Sequence, residues 1–211
     1  MTPAQATPGR TARTLPPTPP RAQQEAEAEG SAYTDDADKA TSLGSAFHEL
    51  AQTMVETGRD HSPQRLEALA RTWRLSRRQV ERLGEAIARW EECSLRAEVL
   101  SHELVRAEVP FFAKADSTHG RYIEGAIDLL ACDRDGTRAL VVDYKTGDVG
   151  LSSEQVEERH RMQANLYAWV LMGQGFEAVE CAFVCVEVDD GTGGPVVVRY
   201  RFDGTRPAHI G

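Results

Sequence analysis

The sequence lacks several features that would assign it to common classes of protein. No apolar run is long enough to cross a bilayer, and the N-terminal region has no apolar segment of the kind found in signal peptides. There is no Walker-type glycine loop, so the chain encodes no nucleotide-driven motor of its own, and no internal repeat is visible. We therefore expect a cytoplasmic protein that makes no contact with a membrane.

Cysteine is also scarce. The sequence has four cysteines, and none of them forms a Cys-x-x-Cys pair. Their neighbours are typical of helix and strand interiors, which predicts reduced cysteines in a protein core. Neither a zinc site nor an iron–sulfur cluster is expected. The four residues are Cys93, Cys132, Cys181 and Cys185.

Positive charge is in deficit, with 24 Lys and Arg residues against 33 Asp and Glu and a net charge of −9. This balance argues against a free-standing nucleic-acid binder, because such proteins gain affinity by neutralising phosphates with Lys and Arg. An enzyme of this charge can still act on nucleic acid if the tight binding belongs to another domain or subunit.

The length of 211 residues, of which 41% are hydrophobic, allows one sizeable core and is too short for two comfortable domains. The first 35 or so residues carry six of the ten prolines and show no apolar periodicity. Residues 1–38 are therefore predicted to be a disordered, Pro-rich tail or tether. Residues 39–211 are predicted to form a single domain.

Helical periodicity begins behind this tail. Thr41-Ser42 is expected to supply an N-cap and Gly58 to end the first helix. Residues 63–98 are predicted to form one or two further helices, the second capped by Ser76. The apolar stripe of the first helix consists of Leu43, Phe47, Leu50 and Met54.

From Leu100 the hydrophobic period changes to two, which predicts strands. Pro110 places the end of the first strand at an edge or a bulge. A long helix, Ser153 to Gly173, is expected to bury Met162, Leu166, Trp169 and Val170. The predicted strands are 103–112, 123–130, 139–145, 182–186 and 196–200.

This order of elements determines the predicted fold class. Helices, a three-strand meander, a crossover helix and two more strands predict an α/β domain, in which helices flank a mixed β-sheet and the N-terminal part is helical. The residues before each acidic position in the central strands are nearly all apolar, which indicates a sheet buried on both faces.

The most informative motif is Asp143-Tyr144-Lys145, at the end of an apolar run. Strand alternation puts Asp143 and Lys145 on one face. Asp135-Gly136, between this strand and the preceding one, is a type I′ hairpin signal. With those two residues as the loop, Asp128 lies directly opposite Asp143, with Cβ atoms roughly 5 Å apart.

Two carboxylates at that separation repel by about 3 kcal/mol at an effective dielectric constant near 20. A divalent cation between them would remove this cost, and oxygen ligands suit Mg²⁺ or Mn²⁺ better than Zn²⁺. Lys145 could hold an attacking water or neutralise charge on a phosphate. The alternative is an ordinary surface ion-pair cluster worth under about 1 kcal/mol, and the apolar surroundings argue against it.

The ordered motifs of the chain resemble the RecB/AddA-type nuclease domain, a branch of the PD-(D/E)xK or restriction-endonuclease-like superfamily. The resemblance covers roughly residues 43–200, and each motif is weak by itself but specific in combination. The matching pieces are Gly44-Ser45-Ala46-Phe47-His48, Glu108-Val109-Pro110-Phe111, Gly125-Ala126-Ile127-Asp128, Asp143-Tyr144-Lys145-Thr146, and Gln163 with Tyr167.

The resemblance implies a divalent metal, Mg²⁺ or Mn²⁺, with His48, Asp128 and Asp143 as its ligands. The backbone carbonyl of Tyr144 would complete the set, and Lys145 would position or activate the water. The alternative for His48 by itself is a half-buried helix histidine.

Three further residues receive roles from the resemblance. Glu108 would contact the metal ligands without binding the metal, or would bind the metal occasionally. The alternative for Glu108 is a strand glutamate in a surface ion pair. Gln163 and Tyr167 would lie near the DNA and the metal-bound water. Their alternative is the polar face of an amphipathic helix.

The chain departs from the family pattern at two positions. Ser45 stands where the family usually has Thr, and His160 stands where a Tyr is often found three positions before the helical Gln. The cysteine pattern of family members with an iron–sulfur cluster is absent, so the likeness is to the cluster-free kind.

Such nuclease domains sit at the C-terminus of helicase polypeptides, which feed them single strands. The resemblance therefore implies an exonuclease module of a helicase-nuclease that acts on single-stranded DNA ends, in DNA end processing and double-strand break repair. Two alternatives remain open at this point: a non-catalytic DNA-binding or regulatory docking domain of a larger repair complex, and a stand-alone defence or phage nuclease.

Overall fold

The structure is a computed structural model that describes residues 35–114 and 122–204, with side chains except those of 35–41 and 114. The described residues belong to one compact unit. Nearly all of the predicted tail, residues 1–34, lies outside the described residues.

Five helices and five strands make up the described part of the chain. The first helix begins four residues before the predicted domain boundary, and the long helix has the predicted bounds. In chain order the elements are α1 Asp35–Thr57, α2 Pro63–Thr72, α3 Arg77–Glu92, α4 Ser94–Leu100, β1 Leu104–Lys114, β2 Tyr122–Cys132, β3 Arg138–Lys145, α5 Ser153–Gly173, β4 Ala178–Asp189 and β5 Pro195–Asp203.

The predicted N-cap at Thr41-Ser42 is wrong, because α1 begins at Asp35. The sequence before Thr41 contains aspartates, which the positive end of a helix dipole favours, and no helix-breaking residue. The other end is confirmed: α1 stops at Thr57, and Gly58 follows with a φ of +63°.

The segment predicted to hold one or two helices holds three, α2 to α4. Ser76 caps α3 as predicted, in a capping box in which Gln79 bonds back to the cap residue. The break that creates α4 is at Cys93, whose extended ψ of 128° interrupts the helix after Glu92. Extended backbone at a single residue leaves no mark on the hydrophobic period, so the sequence pattern missed it.

The five strands form one mixed sheet in the order β1-β2-β3-β4-β5. All neighbours are antiparallel except β3 and β4, which are parallel and joined by α5. This confirms the predicted α/β class. Strand β1 lies at an edge, which is where Pro110 can be accommodated without losing a hydrogen bond inside the sheet.

Each face of the sheet is covered by a different layer of helices. Helices α1 to α4 bury one face around Phe47, Leu83 and Trp90. Helix α5 buries the other around Trp169 and Phe183. Strand β3 is buried on both sides from its second residue to its seventh, as the apolar run predicts. No helix among the described residues is long and apolar enough to span a membrane.

The β2–β3 hairpin has the predicted register but a different turn. Cys132 pairs with Ala139, which is the alignment that a loop centred on residues 135 and 136 requires. The predicted type I′ turn is wrong, because it needs a positive φ at both residues and Asp135 does not have one. The turn is instead closed by a 3.0 Å hydrogen bond from the Gly136 N–H to the Asp133 carbonyl.

Of the four α5 residues predicted to be buried, Trp169 and Val170 are confirmed and Leu166 is partly buried, but Met162 is wrong. Met162 was expected in the core, but 72% of its surface is exposed. Burial is concentrated in the second half of the helix, where Tyr167 to Leu171 are all buried in succession. Because the second half of α5 is enclosed on all sides, its apolar residues do not mark a single face. A stripe fitted to Trp169 and Val170 therefore placed Met162 wrongly in the core.

Candidate active site

The site lies where β1 and β2 change the direction in which their side chains point. Ala107 pairs with Leu129 and Val109 with Ile127. Ala107 packs against the core of the α1–α4 layer, whereas Val109, two residues later, packs against the core under α5. Glu108, between them, has a φ of +48°, which a residue with a side chain rarely adopts. Strain of this kind costs about 1–3 kcal/mol and concentrates at functional sites.

Asp128 lies at the corresponding point of β2. The backbone pairing of β2 with β3 ends at Leu129 and Val142. Beyond it, the Asp128 Oδ2 atom accepts a 2.8 Å hydrogen bond from the Tyr144 N–H. The side chain thus replaces a strand carbonyl, and this directs Asp128 towards α1. The expectation that Asp128 shares one face with Asp143 and Lys145 stays a prediction, because the strand pairing ends one residue short of Asp128.

His48, Glu108 and Asp128 form what we call the α1 cluster. The Nδ1 atom of His48 is 3.3 Å from Asp128 Oδ2 and 4.0 Å from Glu108 Oε1. One ligand atom from each of the three residues lies within 4.8 Å of the others. Ligands around Mg²⁺ are roughly 3–4 Å apart for metal–ligand distances near 2.1 Å, so small side-chain shifts would fit this donor set to an ion.

A close approach between α1 and β3 places His48 in the cluster. A Cβ atom on Gly44, one turn earlier, would lie 2.9 Å from the Thr146 side-chain oxygen. A larger residue at position 44 would force the Thr146 side chain to shift, so glycine favours the close approach of the helix to the strand end. The His48 ring then meets the Tyr144 ring edge to face, with centroids 5.8 Å apart. This explains why the glycine and the histidine occur four residues apart in the motif.

Asp143 lies in a second group, the α5 cluster, with Lys145, Gln163 and Tyr167. Its Oδ2 atom accepts hydrogen bonds from the Tyr167 hydroxyl at 2.6 Å and from Gln163 Nε2 at 2.9 Å. Lys145 Nζ is 2.9 Å from Asp143 Oδ1 and donates to Gln163 Oε1 at 2.9 Å. Asp143 is fully buried, so these donors hold its charge in place.

Phe111 and Gly125 support the α5 cluster from the edge of the sheet. The Phe111 ring meets the Tyr167 ring at right angles, 6.0 Å away. A Cβ atom on Gly125 would lie 2.7 Å from Phe111 Cζ, so only glycine lets the ring lie across β2. The motif pattern included both residues, but it gave no sign that they position Tyr167.

The structure also contains a buried group that sequence reasoning missed. His160 Nε2 is 2.7 Å from Asp148 Oδ2, and the His160 ring stacks on Phe183, 5.0 Å away. Burial raises the pKa of Asp148, but the hydrogen bond and charge of His160 outweigh it and hold the pKa below its usual range. Burial raises the pKa of the neighbouring Cys185 thiol to about 12.

Phe183 connects this buried pair to the α5 cluster, because Lys145 Nζ lies 5.6 Å from the centre of the same ring. The hydrogen bond between the loop residue Asp148 and the helix residue His160 ties the β3–α5 connection to α5. His160 therefore has a packing role here, in the position where the related pattern often has Tyr.

The predicted ligands are therefore divided between two clusters. His48 and Asp128 are brought together, with Glu108 completing the group. Asp143 is held beside Lys145, with Gln163 and Tyr167 as predicted neighbours. Tyr144 joins the clusters, because its N–H binds Asp128 and it lies between Asp143 and Lys145 in the chain.

One comparison with known proteins shows the family of the chain. The solved structure of the protein SSO0001 is similar over 86% of this chain and 75% of that one, at 14% sequence identity and a TM-score of 0.33. No curated protein matches the chain. The family model described as "PD-(D/E)XK nuclease superfamily" matches residues 21–201. The chain therefore belongs to the PD-(D/E)XK nuclease superfamily.

Proposed function

We propose that this protein is a metal-dependent deoxyribonuclease of exonuclease type that hydrolyses phosphodiester bonds at single-stranded DNA ends. One observation carries the proposal: a cluster of two carboxylates and an imidazole adjoins a carboxylate–lysine pair through a single residue, Tyr144. A sheet with only a structural role would not be expected to bury so many acidic groups close together, because burying charged groups costs free energy.

Nucleases of this superfamily use divalent metal ions, and the α1 cluster fits such an ion. We assign His48, Glu108 and Asp128 to it, together with Asp143 and the Tyr144 carbonyl. When bound, Mg²⁺ or Mn²⁺ would supply positive charge to the scissile phosphate and lower the pKa of a water molecule. No iron–sulfur cluster is part of this proposal.

The residues of the α5 cluster hold and orient the reacting groups. Lys145 has 16% of its side chain exposed, so its ammonium group can reach a water or a phosphate oxygen while Asp143 and Gln163 fix its position. There it stabilises negative charge that develops on the phosphate. Tyr167 and Gln163 keep the Asp143 carboxylate oriented by donating hydrogen bonds to it.

The biological setting that we propose follows from the resemblance to RecB/AddA-type domains. The protein would be the nuclease module of a cytoplasmic helicase-nuclease, used in DNA end processing and double-strand break repair. Residues 1–38 would serve as the tether to the helicase part. A net charge of −9 supports a module that receives strands from a partner and does not capture DNA by itself.

The test is a cleavage assay on 5′- and 3′-labelled single-stranded and duplex DNA, with Mg²⁺, Mn²⁺ or EDTA. We expect Mg²⁺-dependent shortening of single strands from an end, and none in EDTA. Asp143→Ala should abolish it, whereas Asp203→Asn, an exposed aspartate at the end of β5, should not.

Two results would count against this proposal. Equal cleavage by Asp143→Ala would remove the catalytic assignment. A wild-type protein that does not cleave, and whose Mn²⁺ binding is unaffected by Asp128→Asn, would favour the docking-domain alternative instead.

A further inference from the structure

An exposed pair of stacked aromatic rings lies at one end of the β1–β2 ribbon. The rings of Phe112 and Tyr122 are 4.9 Å apart at an angle of 15°. Phe112 is 65% exposed and Tyr122 is 57% exposed. Two large apolar side chains that stack on each other in water, and not in the core, present a flat aromatic surface to the solvent.

This aromatic pair lies on the same two strands as the α1 cluster. Phe112 is four residues beyond Glu108, which is about 13 Å along a strand. Phe111, its neighbour, points into the core under α5, so alternation directs Phe112 to the opposite face, on the α1 side of the sheet.

A groove leads towards the aromatic pair along the edge strand. Its volume is about 410 Å³, and its lining includes β1 from Val105 to Pro110 and the end of α1 at Val55 and Glu56. Glu108 is part of this lining. The lining ends at Pro110, two residues before Phe112, so a DNA strand that lies in the groove and continues along β1 would pass Glu108 and then reach Phe112.

We propose that Phe112 and Tyr122 form a stacking platform for the bases of single-stranded DNA next to the scissile phosphate. The inference rests on the proposed nuclease function. Base–aromatic stacking binds single strands without sequence preference, because every base has a π-face. It also suits an acidic protein, since stacking gives affinity without requiring phosphate neutralisation.

The size of the patch favours a nucleobase over a protein partner. Two aromatic side chains bury about 300–500 Å² together, whereas a stable protein interface buries about 800 Å² on each side. Glu124, which pairs with Phe112 across the ribbon, is exposed and charged, so the apolar surface does not extend further along β2.

The binding experiment uses the full chain in EDTA, where no cleavage occurs. Fluorescence anisotropy would compare labelled oligothymidylate with an abasic strand of equal length. For Phe112→Ala combined with Tyr122→Ala we expect about 5- to 150-fold weaker binding of oligothymidylate, the range measured for losing a stacked base. Binding of the abasic strand should not change.

Two control variants sharpen the result. Phe112→Tyr keeps the ring and should keep the affinity. Leu104→Ala removes an exposed apolar residue from the other end of β1, where 44% of Leu104 is exposed, and should also bind normally. Equal affinity of the double variant and the wild type would overturn the platform, as would an equal loss on the abasic strand. A change in oligomeric state on gel filtration would assign the patch to self-association instead.

The outcomes separate this inference from the proposed function. If the wild type cleaves DNA but binds oligothymidylate and the abasic strand equally well, the nuclease function is supported and the stacking platform is refuted. If the wild type does not cleave DNA but its binding of oligothymidylate depends on Phe112 and Tyr122, the stacking platform is supported and the nuclease function is refuted. If both hold, the double variant should show its loss in KM and not in kcat.

Discussion

The two clusters of the site use acidic residues in opposite ways. The α1 cluster gathers the carboxylates of Glu108 and Asp128 around one imidazole, so negative charge is concentrated there. In the α5 cluster a single carboxylate, Asp143, is surrounded by an ammonium, an amide and a phenol. The first arrangement becomes favourable when a cation is added, whereas the second is already neutralised by the protein.

This contrast separates the roles that a metal and a lysine would have. The α1 cluster supplies ligands, and its stability should depend on whether an ion is present. The α5 cluster supplies a fixed positive charge, and of its residues only Asp143 would also contact the ion. Five substitutions test the contrast, and their expected effects fall from the largest, at Lys145, to the smallest, at Asp148.

Lys145→Met should have the largest effect. Removing a positioned positive group that stabilises transition-state charge costs about 2.7–4 kcal/mol, or a 10²–10³-fold loss of kcat. Mn²⁺ affinity measured by calorimetry should stay within about twofold, because Lys145 is not one of the assigned metal ligands. A loss of Mn²⁺ affinity as large as the loss of kcat would show that the two clusters are not separate.

Asp143→Asn and Asp128→Asn should change stability in opposite directions when metal is absent. Asp143→Asn replaces one of the two acceptor oxygens by an NH₂ group, which then faces a buried donor, and should lower the free energy of unfolding by about 1–3 kcal/mol. Asp128→Asn removes one of two like charges and should raise it by about 1 kcal/mol after solvent screening. Urea unfolding in EDTA at pH 8, above the ordinary range of an imidazole, measures both.

Gly125→Ala should disturb the α5 cluster without touching a reacting group. The added Cβ would lie 2.7 Å from Phe111 Cζ, so Phe111 and then Tyr167 must shift, at a cost of about 1–3 kcal/mol. Gly84→Ala is the matched control. Its Cβ would meet Leu66 at an ordinary 3.8 Å within helix α3, so a gain of about 0.5–1 kcal/mol is expected in the same urea experiment. Equal stability of the two variants would refute the close contact.

Asp148→Asn should have the smallest effect, and only in part of the pH range. The folded-state pKa of Asp148 is lowered from 3.8, so the charged form stabilises the fold above that pH. This contribution, about 1 kcal/mol, is lost as the pH falls through the folded-state pKa. Thermal unfolding should therefore separate wild type from variant at pH 6 and bring them closer together as the pH is lowered below 3.8. A difference that stays constant with pH would exclude Asp148 as its source.

Much of the fold follows from local pattern. The α5 bounds and the β2–β3 register were predictable, because long periodic segments and a short hairpin loop leave few alternatives. Asp143 and Lys145 share a face for the same reason, as their 2.9 Å contact confirms.

The shape of the α1 cluster was not predictable in the same way. It depends on Glu108, whose left-handed backbone is imposed by its surroundings, since glutamate has no local preference for that conformation. Alternation counted along β1 does not anticipate this backbone conformation. The Asp148–His160 pair was missed because its partners lie on a loop and a helix, 12 residues apart, and no sequence period connects them.

The most direct test of the central claim is Mn²⁺ titration calorimetry of Glu108→Gln beside Glu124→Gln. Both glutamates lie on the β1–β2 ribbon, but only Glu108 belongs to the α1 cluster. We predict that the wild type and Glu124→Gln bind Mn²⁺ alike, while Glu108→Gln binds at least about tenfold more weakly. Equal binding by all three proteins, or none by the wild type, would contradict a metal site formed by His48, Glu108 and Asp128.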